Sequence, residues 1–156
     1  MANLSKYANK VYKIIGAAMT VHSELNWGLL EAVYQEALHL ELLDRGIANE
    51  REQEIPVYYK AHLLDKKYRM DIVVDDIIVE LKSVTKLAST HRAQLCNYLR
   101  LTHKPIGLLI NFGEESLIGE RWAYDENTNE CFLVDRNMEP IETDYGNLLD
   151  IDLDDN

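Results

Sequence analysis

A chain of 156 residues, 47% of them hydrophobic, suits one domain with a single core that buries about 70% of its unfolded surface. Its formal charge of −11, from 27 acidic and 16 basic side chains, speaks against holding nucleic acid by a generally basic surface, because that mode needs Lys and Arg to neutralise phosphates. No run of about 18 apolar residues occurs, and the opening MANLSKYANKVYK lacks the charged-then-apolar order of a leader, so membrane insertion and secretion are disfavoured and a cytoplasmic protein is expected.

Taken in chain order, Leu4, Tyr7, Ala8, Val11, Ile14, Ile15, Ala18 and Val21 recur at spacings of three and four. They predict one amphipathic helix to about Glu24. NWG interrupts it, and a second helix is expected from Leu29 to Asp44, closed by Gly46 where a left-handed backbone is tolerated. QEIPVYYKAHLLDKKYRMDIVVDDIIVELK is rich in β-branched and aromatic residues and reads as three or four antiparallel strands. STHRAQLCNYLRLT follows as a helix with Ser89 or Thr90 as N-cap, and PIGLLINF as a central strand buried on both faces. RWAYDENTNECFLVD reads as a closing hairpin around Asn127, Thr128 and Asn129.

This order implies an α/β (α+β) domain, a mixed central sheet flanked by helices, over residues 1–135. Residues 136–156 form an acidic tail, seven acids against Arg136 alone, expected to be solvated or loosely docked. Cys96 and Cys131 show neither CxxC spacing nor a zinc-type histidine pattern, and are read as reduced packing residues.

The most informative stretch is YRMDIVVDDIIVELKS, residues 68–83, where two apolar runs carry Asp71, Glu80 and Lys82 inside them. A two-residue turn at Asp75 and Asp76 places Asp71 opposite Glu80. Alternation then puts Met70, Ile72, Val74, Ile77, Val79 and Leu81 on one face and Asp71, Val73, Ile78, Glu80 and Lys82 on the other. Like charges directly opposed destabilise a strand pair, and burial raises the cost. A divalent cation removes both penalties, and carboxylate oxygens suit Mg²⁺ or Mn²⁺. Lys82 could then orient water or offset charge growing on a phosphate, which makes a set for metal-assisted phosphodiester hydrolysis. The plainer alternative is an ordinary ion pair of Lys82 with Glu80 or Asp71 at a sheet end.

Asp71 followed by Glu80-Leu81-Lys82 resembles the D…ExK core of the PD-(D/E)xK nuclease superfamily. Gln94-Leu95-Cys96-Asn97-Tyr98 resembles the QxxxY motif of its RecB-like branch, and Gly28-Leu29-Leu30-Glu31-Ala32-Val33-Tyr34 is similar to the GxxExxY signature of a family of small prokaryotic proteins in that superfamily. HSELNWGLLEAVYQEAL, IPVYYK, IVELKSV, AQLCNYL and GLLINFG fall in that family's order, over about residues 10 to 115. The resemblance implies a restriction-endonuclease-like core, Mg²⁺ or Mn²⁺ held by Asp71, Glu80 and Glu31, and Lys82 as catalytic lysine. It also implies substrate contacts at Gln94, Tyr98 and Tyr34. The family's usual LGPGLLE is LNWGLLE here, which alters the loop before Glu31. His22 and His91 are not assigned to the catalytic set.

Two functions are carried forward. One is a metal-dependent nuclease acting on nucleic acid, DNA ahead of RNA, without a membrane and with room for a protein partner or a homo-oligomer. The other is a non-cutting module of the same fold that works through protein contacts, which the negative charge favours. The joint presence of Asp71, Glu80 and Lys82 favours cutting. A further expectation is that the acidic tail occupies the substrate groove as a phosphate mimic.

Overall fold

The computed structural model of the chain describes residues 3–145 and 148–150. A 3₁₀ turn at Ser5–Tyr7 leads into α1 (Ala8–Leu25), which buries Val11, Ile14, Ala17, Ala18 and Val21 along one stripe. Helix α2 (Glu31–Asp44) buries Tyr34, Gln35, Leu38 and Leu42. It ends at Gly46, whose φ of 74° is the left-handed conformation expected there and whose N–H donates to the Leu43 carbonyl.

Among the described residues, eight strands follow the two helices: β1 (Glu50–Ile55), β2 (Tyr58–Tyr59), β3 (His62–Leu63), β4 (Tyr68–Val74), β5 (Ile77–Lys82), β6 (Ile106–Asn111), β7 (Ile118–Asp125) and β8 (Glu130–Val134). Six form one sheet in the order β1-β4-β5-β6-β7-β8, while β2 and β3 form a separate two-stranded ribbon. Only β5 and β6 pair in parallel within the sheet. A parallel pair needs a crossover, and α3 (Ser89–Thr102) supplies it.

Two cores result, one on each face of the sheet. Helices α1 and α2 bury Ile72, Val74, Ile77, Val79 and Leu81 together with Ile106, Leu108 and Ile110. Helix α3 covers Val73, Ile78, Leu109 and Trp122 on the other side. Every residue of β6 is buried, as its apolar run predicts for a central strand. Each large side chain so buried is worth about 1.5–3 kcal/mol.

Three expectations change. Met70 packs with the α3 cluster rather than beside Ile72, because the ladders on both sides of β4 are interrupted at Asp71 and alternation does not carry across it. The N-cap of α3 is Ala88, not Ser89 or Thr90, and the Ala88 N–H donates to Nδ1 of His91 at 3.0 Å. Cys96 and Cys131 are not reduced: they form a disulfide between α3 and β8, with Cα atoms 5.9 Å apart. The described part of the tail touches the domain at a few points, while residues 139–145 are exposed. Met138 and Leu148 are buried, Pro140 bridges to Val134, and the Tyr145 ring lies against Trp122 and under the Arg92 guanidinium. Asp152, Asp154 and Asp155 lie outside the described residues, so the groove-filling expectation rests on positions that are not described.

Candidate active site

Strands β4 and β5 pair Ile72 with Val79, Val73 with Ile78 and Val74 with Ile77, the register expected from a turn at Asp75 and Asp76. Asp75 makes that turn with a φ of 51°. The next rung is Asp71 and Glu80, and there side chains take over from the backbone. The Asp71 N–H donates to Glu80 Oε1 at 2.9 Å, and the Leu81 N–H donates to Asp71 Oδ2 at 2.8 Å. Pairing with β1 also skips Glu52 and Asp71, where Glu52 takes a φ of 54°. The sheet therefore opens on both sides of Asp71 without leaving these two amides bare.

Glu80 is 4% exposed, and burial pushes its carboxyl well above the usual glutamate range, with the Asp71 charge adding to the effect. Asp71 is raised too, chiefly by burial, against the opposing hydrogen bond from Leu81 and the charge of Lys82. Lys82 closes β5 with Nζ 3.4 Å from Gln94 Oε1, to which it donates, and 3.9 Å from Glu31 Oε1. Glu31 is the first residue of α2, half exposed, and its carboxyl is raised by burial while Lys82 opposes the shift. Glu31, Asp71, Glu80 and Lys82 thus converge from α2, β4 and β5.

Donor chemistry here fits a hard divalent cation at Asp71 and Glu80. Each carboxylate commits one oxygen to a backbone amide, Asp71 Oδ1 accepts a long bond of 3.4 Å from Gln35 Nε2, and the two carboxyls also hydrogen-bond to one another. A buried and a half-buried acid held this way favour protons or a cation. Among the described residues no group of three or more His, Cys, Asp or Glu gathers at metal-binding distance, and Glu31 pairs with Lys82.

Gln94 lies beside Lys82, and Tyr98, four residues on, is 5% exposed and hydrogen-bonded with Gln94. Burial first, then the charges of Glu80 and Asp71, push its phenol upward. Tyr34 is elsewhere. Its ring is fully buried and stacks on Phe112 with centroids 4.5 Å apart, so it does not meet a substrate. Its hydroxyl donates to the Asn26 carbonyl at 2.6 Å and accepts the Leu29 N–H at 3.1 Å, which fixes the LNWGLLE loop that delivers Glu31.

Three site-building residues escaped the sequence reading. Gln35, four residues after Glu31 and so on its face, donates to Glu52 Oε1 at 2.9 Å as well as to Asp71. That spacing was visible. Asn111, fully buried, donates to the Val84 carbonyl and accepts the N–H groups of Val84 and Gly113, pinning the loop that leaves Lys82. A Cβ at Gly113 would sit 2.1 Å from the Val84 carbonyl oxygen, so only glycine fits. A lone Asn closing an otherwise apolar strand run was the available signal.

With two acids and a lysine on adjoining strands of a mixed sheet, the fold and site define a nuclease-type architecture. A model of the PD-(D/E)XK nuclease superfamily matches residues 8–121, a span that holds α1, α2, Asp71, Glu80, Lys82 and α3. The chain belongs to the PD-(D/E)XK nuclease superfamily. Comparison with curated proteins and with solved structures gives no match.

Proposed function

We propose that the protein is a Mg²⁺- or Mn²⁺-dependent nuclease of the GxxExxY kind, from the RecB-like branch, acting in the cytoplasm of a prokaryote through one domain over residues 1–135. The observation that carries this reading is the setting of Lys82. Its ammonium is 3.4 Å from Gln94 and 3.9 Å from Glu31, at the end of the strand that carries Glu80. A structural ion pair would place it on the nearest buried acid, whereas here it reaches towards the open side of the site.

Asp71 and Glu80 would hold a divalent cation, which would supply Lewis acidity when bound. Lys82 faces the charge that grows on the phosphate as water attacks phosphorus and the P–O ester bond breaks, leaving a phosphate monoester and a hydroxyl. Gln94 and Glu31 hold that ammonium in place. Tyr98, with its phenol raised, stays protonated and can donate to the substrate. DNA is favoured over RNA as substrate. The Cys96–Cys131 disulfide, uncommon in a reducing compartment, would require an oxidising partner there.

The test is incubation of purified protein with labelled single-stranded DNA, duplex DNA and RNA in Mg²⁺ or Mn²⁺, beside Lys82→Ala prepared identically. Cleavage by the wild type alone supports the reading. Equal cleavage by both, or by neither, removes it.

A further inference from the structure

We infer that the β2–β3 ribbon and the cavity at its base form a binding track for unpaired nucleotides, delivering a single strand to Lys82. This deepens the nuclease reading and rests on it for what happens at the end of the track. Residues 57–69, VYYKAHLLDKKYR, carry four cations, Lys60, Lys66, Lys67 and Arg69, against Asp65 alone. A local charge of +3 in a chain of −11 is a reversal of sign, and it lies next to the site.

The ribbon also exposes what a folded domain ordinarily hides. Tyr58 and Tyr59 are each 61% exposed and Leu63 55%. Two strands of two residues have no core that would need these rings. Lys60, at the tip with a φ of 53°, places its ammonium 5.5 Å from the centre of the Tyr59 ring. Lys67 and Arg69 share a single acid, Glu54, at 3.3 and 3.6 Å, so two cations face one carboxylate. Aromatic faces with interleaved cations are the chemistry that holds a single strand: bases stack on the rings and phosphates meet the cations.

A cavity of about 550 Å³ joins ribbon to site. Val57 and Tyr68, which flank the ribbon in sequence, share its lining with Lys82, Gln94 and Tyr98. Tyr68 and Tyr98 lie with ring centroids 5.7 Å apart, tilted by 47°, and Tyr68 remains 40% exposed. Space of this size accepts one small organic ligand, and the available aromatic face suits a base plane. A duplex offers no free base faces to such rings. Unpaired bases on a phosphate backbone are therefore the occupant, whether the sugar is deoxyribose or ribose.

The test is fluorescence anisotropy of wild-type protein in Ca²⁺, using labelled oligo(dT), oligo(U) and a blunt duplex of equal length. Single strands should bind at least about tenfold tighter than the duplex, and the two oligomers decide between DNA and RNA. Tyr59→Ala and Tyr68→Ala should each weaken single-strand binding at least about fivefold. Lys66→Gln with Lys67→Gln should reduce the slope of log affinity against log salt by roughly 0.7 for each phosphate that is no longer neutralised. Melting temperatures close to wild type would show that the variants fold. Duplex bound as tightly as single strand, tyrosine variants that bind like wild type, or no binding at all would overturn the track. So would a Tyr59→Ala protein that turns a dimer into a monomer, since a second copy would then cover the ribbon. Tyrosine-dependent binding without cleavage in Mg²⁺ keeps the track and removes the nuclease. Cleavage that needs Lys82 but is indifferent to Tyr59 and Tyr68 does the reverse.

Discussion

Asp71 and Glu80 are joined crosswise, each giving the strands a bond that the backbone ladder omits: Glu80 Oε1 accepts the Asp71 N–H at 2.9 Å and Asp71 Oδ2 accepts the Leu81 N–H at 2.8 Å. Both carboxyls titrate above their ordinary values when folded. The folded chain therefore holds protons that the unfolded chain releases. Without a cation this stabilising contribution is fully present below the ordinary glutamate value of 4.5, and it is lost as pH rises through the raised value of Glu80. Thermal unfolding in EDTA should show stability falling in that direction, and Glu80→Gln should flatten the fall.

Manganese should reverse it. A cation binding the native pair raises the melting temperature, most at the upper end of the pH range where both acids are ionised, and Asp71→Asn should abolish the rise. Addition of chelator should return the original value. A melting temperature indifferent to Mn²⁺ at every pH would sink the proposed metal site.

Lys82→Ala should separate activity from folding. The side chain makes one long hydrogen bond and one ion pair near the distance limit, so its removal should change stability by no more than about 1 kcal/mol. Cleavage should fall by about 10²- to 10³-fold, the range for losing a group aimed at transition-state charge. Initial rates and denaturant midpoints measured on one preparation check both halves.

Tyr34→Phe keeps the stacked ring on Phe112 and deletes the hydroxyl that bridges Asn26 and Leu29. Asn26 and Leu29 are themselves exposed, so water can replace the lost hydroxyl and the change should cost about 0.5–1.5 kcal/mol in urea unfolding. Cleavage should also drop, because this loop positions Glu31. Wild-type stability with wild-type rate would remove the bridging role assigned to Tyr34.

The Cys96–Cys131 bond closes a separation of 35 residues. In the chain-entropy account, opening a loop of that length costs about 3–4 kcal/mol. Unfolding with and without reductant, together with Cys131→Ser, should show that loss, and thiol titration of unreduced, unfolded protein should find no reactive cysteine. An unchanged midpoint under reductant would refute the bond.

Much of this architecture was legible because it is local. The three-and-four spacing of α1, the apolar run of β6 and the Asp75-Asp76 turn each fix their outcome within a few residues, and the turn alone fixes Asp71 opposite Glu80. What escaped depends on neighbours distant in sequence. Cys131 meets Cys96 only because α3 covers the face of the sheet on which Cys131 of β8 is buried, which no spacing of two cysteines announces. Tyr34 shares the GxxExxY pattern with Glu31, yet it turns inward to Phe112. Met70 obeys alternation until the missing rungs at Asp71, and a period-two reading has no way to register a missing rung.

The open rung has a consequence for how variation at this site is to be understood. Asp71 and Glu80 complete the pairing of β4 and β5, satisfying two strand amides that the backbone ladder leaves open. Natural selection for a foldable chain would preserve both acids in a descendant that no longer cuts anything. Lys82 is under no such obligation, since its bonds are long and lie at the end of the strand. The acids thus mark ancestry, and the lysine marks whether the inherited chemistry is still in use.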